Sequence, residues 1–210
     1  SFAIRLSDRT LWFRVLASLG VPEELAPAVL TAVDKLERAT EAELLAMIRD
    51  SLAGHPADPA RILAEARRLA AVRSFTELES ALGADAGVQA RLAEWRELLA
   101  LLGHLGVADL VRVDLGIVRG LAYYTGFVFE AFDAQGEQRA LAGGGRYDGL
   151  VEKLGGPALP AVGFGMGDVT VANLLADRGL MPAYADGPDF YVAILGADAR
   201  AAALADVAAL

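Results

Sequence analysis

Residues 21–107 form a long run of helical sequence between two β-rich parts, and any fold for this chain must accommodate it. Within the run, five segments repeat apolar residues at helical spacing, and β-branched runs nearly vanish. We therefore predict an α+β fold with an all-helical subdomain inserted between β-rich halves. In the alternative, which the sequence leaves open, the same helices pack directly on the sheet.

Capping residues place several helix starts in this run. Thr40 with Glu43, and Ser74 with Glu77, have the spacing of a capping box, in which each side chain bonds the other residue's backbone N–H. Asp58 is followed by a proline, a pair typical of an N-cap and the first helical position. These signals predict three of the five helix starts.

The chain opens with an alternation of apolar and charged residues at positions 2–6, which favours a half-buried β-strand. Ser7 or Asp8 then caps a helix over about residues 9–19, which Gly20 ends. Because the sequence starts directly on a strand, we expect the chain to be a piece of something longer.

Further strands are predicted after the helical run. Residues 111–150 hold two β-rich runs around a reversal near residues 134–137. Residues 146–154 are predicted as a short helix, and residues 160–166 as a buried strand with glycine at alternate positions. Asp168 then caps a helix that reaches about residue 178.

The last part of the chain resembles the start of an α/β unit. Residues 181–188 are rich in proline, glycine and small side chains, which predicts a linker. Residues 190–195 form an apolar run typical of a strand, and an alanine-rich helix follows from about Asp198. One strand and one helix are too little for a domain, so we expect a further domain to begin here.

Composition narrows the class of protein. The chain has 210 residues, 55% of them hydrophobic, a formal net charge of −9 and no cysteine. These values predict a folded, soluble, cytoplasmic protein with no disulfide, no signal peptide and no membrane span. The negative charge disfavours broad capture of nucleic acid, but an RNA held by a local basic face stays possible.

Residues with chemical use concentrate between positions 111 and 150. The guanidinium of Arg119 can hold a phosphate or carboxylate through its planar fork of donors. Tyr123 and Tyr124 offer an aromatic wall with polar tips, and the glycines at 143–145 let a ligand approach the backbone. His55 and His104 lie in the helical run with no carboxylate or cysteine at metal-ligand spacing, so no metal site is predicted.

Five segments resemble parts of the histidyl-tRNA synthetase family. VRGLAYYTG at residues 118–126 and AGGGRYDGL at residues 142–150 resemble its two histidine-specific motifs, which are specific in combination. PAVGFGMG at residues 160–167 is similar to the third signature of class II aminoacyl-tRNA synthetases. VDKL at residues 33–36 resembles part of the family's helical insertion, and DFYVAIL at residues 189–195 the entry strand of its anticodon-binding domain.

The resemblance implies a fold, a reaction and partners. The fold would be a class II-like antiparallel sheet with flanking helices, and the reaction would join histidine, activated by ATP, to tRNA(His). Mg²⁺ would enter with ATP, held mostly by phosphates. A homodimer without membrane association is implied for the full-length protein. The domains would be the catalytic part at 1–20, the helical insertion at 21–107, the catalytic part at 108–182 and the start of the anticodon-binding domain at 183–210.

The resemblance also implies roles for individual residues. Arg119 would be catalytic, stabilising charge on the ATP α-phosphate. The implied histidine-binding residues are Tyr123, Tyr124, Gly143, Gly144, Gly145, Arg146 and Tyr147. The implied residues around ATP or the adenylate are Gly163, Phe164, Gly165 and Gly167.

Two residues depart from the family pattern. Ala122 stands where the family commonly has an acidic residue, and Thr170 where it has an arginine that packs on the ATP adenine. Nothing resembles the first two class II signatures, so we expect this piece to be inactive by itself. The alternatives are a regulatory subunit of ATP phosphoribosyltransferase, which keeps a histidine-like pocket without charging tRNA, and a histidine-binding module without catalysis.

Overall fold

The structure is a computed structural model that describes residues 2–83, 85–118, 123–135, 139–182, 191–194 and 196–209. The chain divides into two compact units, Ser1–Leu174 and Leu175–Leu210. The first unit contains the sheet, the helical run and most of the motif residues, and the second contains the C-terminal helix.

A mixed five-stranded sheet forms the centre of the first unit, with strand order β2-β1-β3-β4-β5. Its strands are β1 (Phe2–Asp8), β2 (Val111–Val113), β3 (Phe127–Asp133), β4 (Ala142–Arg146) and β5 (Val162–Met166). The predicted α+β class is confirmed, but the sheet is not wholly antiparallel, because β1 and β2 run parallel. A parallel pair needs a long crossover connection, and the helical run provides it.

In the described part of the chain, six α-helices lie between β1 and β2, one follows β4 and one follows β5 directly. They are α1 (Arg9–Ser18), α2 (Ala26–Val33), α3 (Glu41–Ser51), α4 (Pro59–Ala70), α5 (Phe75–Ala81), α6 (Ala86–His104), α7 (Leu150–Lys153) and α8 (Asp168–Asp177). The five predicted helical segments of residues 21–107 correspond to α2 through α6. Among the described residues no helix is both long enough and apolar enough to cross a membrane.

The caps explain why the helices start where they do. Both bonds of the predicted capping box join Thr40 and Glu43 at the start of α3. The Ser74 hydroxyl accepts the Glu77 N–H at 3.2 Å, but the Glu77 carboxylate accepts the Arg73 N–H at 2.8 Å instead of closing the box. The second capping box is therefore only half formed, and the acidic residue bonds one position before the cap.

One hydrophobic core joins the helices to the sheet. Its buried members include Leu6 of β1, Trp12 of α1, Leu44 of α3 and Leu92 of α6. The Trp95 ring of α6 meets a phenylalanine ring of β3 edge-on, with centroids 5.2 Å apart. At least α6 thus packs directly on the sheet, while the division of the chain into domains at 20, 107 and 182 stays a prediction.

A buried ion pair fixes α6 to the junction of β1 and α1. Asp8 is fully buried, and its carboxylate accepts Arg91 Nε at 2.6 Å and Nη2 at 3.1 Å. The indole N–H of Trp95 donates to the same carboxylate at 2.8 Å, and the Leu11 N–H donates at 3.2 Å. The predicted cap on α1 is confirmed, but sequence alone did not show that Asp8 also receives a long-range arginine.

Two local predictions near the motifs are wrong. Arg146 belongs to β4, and the short helix expected from residue 146 begins at Leu150. β5 was expected to be buried, yet Val162, Phe164 and Met166 are 75%, 67% and 62% exposed. The reason is that β5 lies at the edge of the described sheet and pairs with β4 alone.

Helix α9 (Arg200–Ala209) lies in the second unit, where it follows a 3-10 turn at Ala197–Ala199 and confirms the predicted alanine-rich helix. Residues 183–190, which include most of the predicted linker, lie outside the described part of the chain. The strand predicted at 190–195 is wrong for its described positions, because residues 191–194 form no regular structure.

Candidate functional site

Four glycines lie together on one face of the sheet. Gly143 and Gly145 of β4 pair with Gly165 and Gly163 of β5. Side chains alternate along a strand and residues paired across strands share a face, so all four point the same way. We call this patch the glycine face. None of the four carries a Cβ, and Gly165 is exposed, so a small ligand can approach the backbone closely there.

Three tyrosines pack against one another beside the glycine face. Ring centroids of Tyr123 and Tyr124 are 4.7 Å apart, those of Tyr123 and Tyr147 are 5.5 Å apart, and those of Tyr124 and Tyr147 are 6.2 Å apart. Tyr124 is buried, and it packs with Ile117 and Val128 in a small core of its own. In this tyrosine cluster side chains of the two motifs, which β3 separates along the chain, lie in contact.

The rings cover two of the four glycines. A Cβ added at Gly145 would lie 2.9 Å from Tyr124 Cδ1, and one added at Gly163 would lie 2.2 Å from the Tyr147 hydroxyl oxygen. At Gly165 no atom lies within 4 Å of the corresponding position. The open floor of the site is therefore at Gly165. At Gly145 and Gly163 the absence of a Cβ makes room for the rings of Tyr124 and Tyr147.

A carboxylate lies in the same row of the sheet as the open floor. Register places Arg5, Glu130, Gly143 and Gly165 side by side across four strands. Arg5 is engaged elsewhere, since its Nη1 is 3.4 Å from Asp114 Oδ2 and its guanidinium lies over a phenylalanine ring. In this row, half-buried Glu130 lies between Arg5 and the glycines. Its place on an alternating strand next to the glycine strand was the signal that could have marked it.

A cavity of about 650 Å³ lies beyond Glu130 on this side of the sheet. It reaches the end of α2 and the segment after it, where three of the four VDKL residues line it, and its lining carries charges of both signs. The charged lining residues are Arg5, Asp34, Glu37, Arg38, Asp114, Glu130 and Arg139. The site is therefore bounded by aromatic rings on one flank and by mixed charge on the other.

Three predicted contacts do not join the tyrosine cluster. Gly144, Arg146 and Phe164 occupy the alternate positions of β4 and β5, so they belong to the opposite face of the sheet. Arg146 and Phe164 line an apolar groove of about 630 Å³ there, together with leucines of α6. Strand alternation separates these residues from the glycine face although they are adjacent in sequence.

Arg119 and its neighbours through Ala122 lie outside the described residues, so the role of Arg119 stays a prediction. The segment just before it is held by Arg9, whose Nη1 donates to the Val118 carbonyl at 3.3 Å. Burial lowers the pKa of Arg9.

The last signature glycine and the two histidines lie apart from the tyrosine cluster. Gly167 is at the turn into α8, where an added Cβ would lie 2.9 Å from Thr170 Oγ1. His55 Nδ1 accepts the Ala57 N–H at 3.3 Å, as expected of a loop residue. In the part of the chain that the structure describes, no three His, Cys, Asp or Glu side chains are grouped so that they could hold a metal ion.

Comparison with known proteins places this fold among the aminoacyl-tRNA synthetases. Residues 1–169 match the family model described as Histidyl-tRNA synthetase. The chain therefore belongs to the histidyl-tRNA synthetase family.

Individual relatives agree with this assignment. The chain is 51% identical over 209 residues to the histidine–tRNA ligase of Opitutus terrae, covering 100% of this chain and 47% of that protein. It thus spans about half the length of the curated relatives it matches. The crystal structure of histidyl-tRNA synthetase from Nostoc sp. PCC 7120 superposes with a TM-score of 0.69 at 24% identity, covering 87% of this chain and 43% of that one.

A second solved structure carries a double description. It is an ATP phosphoribosyltransferase regulatory subunit/histidyl-tRNA synthetase from Bacillus halodurans C, with a TM-score of 0.62 and 23% identity. The match covers 81% of this chain and 43% of that one. At these identities, the two structural matches show the shared fold and nothing finer.

Proposed function

We propose that this chain forms the histidine-binding part of a histidine–tRNA ligase. The observation that carries the proposal is the open backbone at Gly165, flanked by the tyrosine cluster on one side and by Glu130 on the other. Aromatic rings and a carboxylate beside open backbone are contacts that suit an amino acid with a flat, polar ring. The family assignment supports histidine as that amino acid.

In this proposal the imidazole lies against the tyrosine cluster. A phenol hydroxyl can donate to or accept from an imidazole nitrogen, so it serves either tautomer. Tyr147 suits this role, because its hydroxyl lies over Gly163 at the border of the open floor and makes no hydrogen bond with the described residues. The absence of a side chain at Gly165 lets the amino acid backbone lie directly on β5.

The proposed reaction has two steps. The carboxylate of histidine attacks the α-phosphorus of ATP and pyrophosphate leaves; a ribose hydroxyl of tRNA(His) then attacks the adenylate and AMP leaves. Arg119 is proposed to stabilise the charge that develops on the α-phosphate, since loss of one such donor costs about 3 kcal/mol in the transition state. Mg²⁺ would enter with ATP, bound mainly through phosphate oxygens. The complete reaction is proposed for a protein that includes this chain, and histidine binding for the chain itself.

The substitution Gly165→Ala tests where histidine binds. The new methyl group meets no protein atom, so the variant folds normally, but it occupies the floor that the ligand needs. Calorimetry should show histidine binding weakened at least about tenfold. Gly103→Ala is the matched control, because Gly103 has equally open surroundings and lies in α6, on the opposite side of the sheet from the glycine face. Equal affinity in both variants would place the ligand elsewhere.

A second candidate is histidine sensing without tRNA charging, as in a regulatory subunit of ATP phosphoribosyltransferase. Thr170 favours it, because this small side chain packs against Gly167 where the family has an arginine for the adenine. The solved structure from Bacillus halodurans C, which shares this fold, carries that description. Rescue of a histidine–tRNA ligase defect by the gene that encodes this chain decides for the ligase. Co-purification with a phosphoribosyltransferase, without rescue, decides for the regulatory subunit.

A further inference from the structure

A set of hydrogen bonds joins the two histidine motifs directly beside the tyrosine cluster. The Thr125 hydroxyl donates to Asp148 Oδ2 at 3.1 Å and accepts the Asp148 backbone N–H at 3.0 Å. The Thr125 N–H donates to the Arg146 carbonyl at 2.9 Å. We call this arrangement the Thr125–Asp148 clamp. It fastens the residue after Tyr124 to the residue after Tyr147.

The carboxylate at the centre of the clamp is held from a second side. Arg146 Nε donates to Asp148 Oδ1 at 2.8 Å and to Oδ2 at 3.0 Å. Arg146 therefore holds the Asp148 carboxylate, although Arg146 lies on the face of the sheet away from the glycines. A charge-assisted bond fixes the rotamer of Asp148 more firmly than a neutral bond would.

The clamp is also anchored to the first helix. The Thr10 hydroxyl of α1 donates to the Thr125 carbonyl at 2.7 Å, and the Arg9 N–H donates to the Gly126 carbonyl at 3.0 Å. Thr125 therefore uses its hydroxyl, its N–H and its carbonyl at the same time. The backbone on the C-terminal side of Tyr124 is fixed to both α1 and β4.

We propose that Thr125 and Asp148 are positioning residues, which set the separation of the Tyr124 and Tyr147 rings and thereby the width of the aromatic wall that receives the imidazole. This inference rests on the proposed histidine site. Neither side chain belongs to the hydrophobic core: Thr125 is exposed, and the side chain of Asp148 is 43% exposed. Exposed polar pairs of this kind contribute little to global stability, so the effect of the clamp is local.

The test compares substitutions in the 210-residue chain. Thr125→Val keeps the shape and removes the hydroxyl, and Thr125→Ser keeps the hydroxyl. Asp148→Asn removes the charge that pairs with Arg146. Thr31→Val is the matched control, since the Thr31 hydroxyl is also exposed and bonds only to a backbone carbonyl of its own helix.

The first readout does not need a ligand. Nuclear Overhauser contacts between the labelled rings of Tyr124 and Tyr147 report their separation. We expect these contacts to be lost in Thr125→Val and Asp148→Asn, and kept in Thr125→Ser and Thr31→Val, with Tm within about 4 °C of the wild-type value in all four. Unchanged ring contacts in Thr125→Val and Asp148→Asn would overturn the proposal.

The second readout is the affinity for histidine. We expect about tenfold weaker binding for Thr125→Val and Asp148→Asn, and less than about twofold change for Thr125→Ser. Lost ring contacts with unchanged affinity would also overturn the proposal, because the rings would then not shape the binding site. A wild-type chain that binds no histidine would refute the proposed function instead, and the ring contacts alone would then decide whether the clamp sets the ring geometry.

Discussion

Single residues decide what the candidate site looks like. The glycines of β4 and β5 were predicted to let a ligand approach the backbone, but they divide into two kinds. Gly145 and Gly163 are covered by tyrosine rings, and Gly165 is open. The sequence could not separate them, because the difference depends on the register between strands and on the direction in which each ring points.

Gly163→Ala tests the assignment of Gly163 to the aromatic wall. The added methyl group would lie 2.2 Å from the Tyr147 hydroxyl oxygen, so the ring must move. Because the obstacle is the tip of a flexible side chain, we expect a stability loss of only about 1 kcal/mol. The ring contact between Tyr123 and Tyr147 should be lost, as measured by NMR of labelled tyrosine. An undisturbed Tyr147 ring would contradict the predicted packing.

At the scale of elements, helix α6 is tied to the sheet by the buried pair of Asp8 and Arg91. Arg91→Met leaves the Asp8 carboxylate buried with only the Trp95 and backbone donors. We expect a loss of about 3–5 kcal/mol in the free energy of unfolding, measured in urea, since a buried charge without its partner is costly.

Arg96→Met is the control in the same helix. Arg96 pairs with Glu79 at 2.6 Å, and the side chains are 51% and 33% exposed. Removal of such an exposed pair should cost about 0–1 kcal/mol. Similar losses in the two variants would show that the Asp8 pair does not hold α6.

The stability of the first turn of α3 should depend on pH. Hydrogen bonds from the Thr40 backbone N–H and hydroxyl lower the pKa of Glu43. A carboxyl whose pKa is lowered by folding contributes stability above its ordinary pKa of about 4.3, and that contribution is lost as pH falls through the lowered value. In wild type, amide exchange at Glu43 and Leu44 should therefore accelerate below about pH 4. In Glu43→Ala this pH step should be absent, and a step of equal size there would exclude the capping box as its cause.

Comparison of the predicted and observed helices and strands shows which parts of the fold local sequence patterns can predict. Caps and helices were predicted from local signals such as Thr40 with Glu43, because the residues that bond lie within one turn. The parallel pairing of β1 with β2 and the Arg91–Asp8 bond join residues far apart in sequence, so no local pattern contains them. The exposure of β5 was mispredicted because alternating glycine and apolar residues fit a buried strand and an edge strand equally well.

On the scale of the whole molecule, the fold brings the two motifs into one site. Tyr124, Tyr147 and the glycines lie together, whereas Arg146 and Phe164 belong to the other face of the sheet. Motif similarity assigns one role to consecutive residues, whereas in a β-strand every second side chain lies on the opposite face of the sheet. Glu130 was not assigned a role from sequence, because the alternation of its strand makes it a candidate but only the register places it in one row with Gly143 and Gly165.

The histidine site is tested most directly by an NMR titration of the 210-residue chain, labelled at glycine and tyrosine, with histidine. We expect saturable shifts at the Gly165 and Gly143 amides and the Tyr147 ring, and much smaller shifts with alanine. Shifts confined to the apolar groove on the opposite face, or no shifts with histidine, would contradict the proposal that the glycine face is the histidine site.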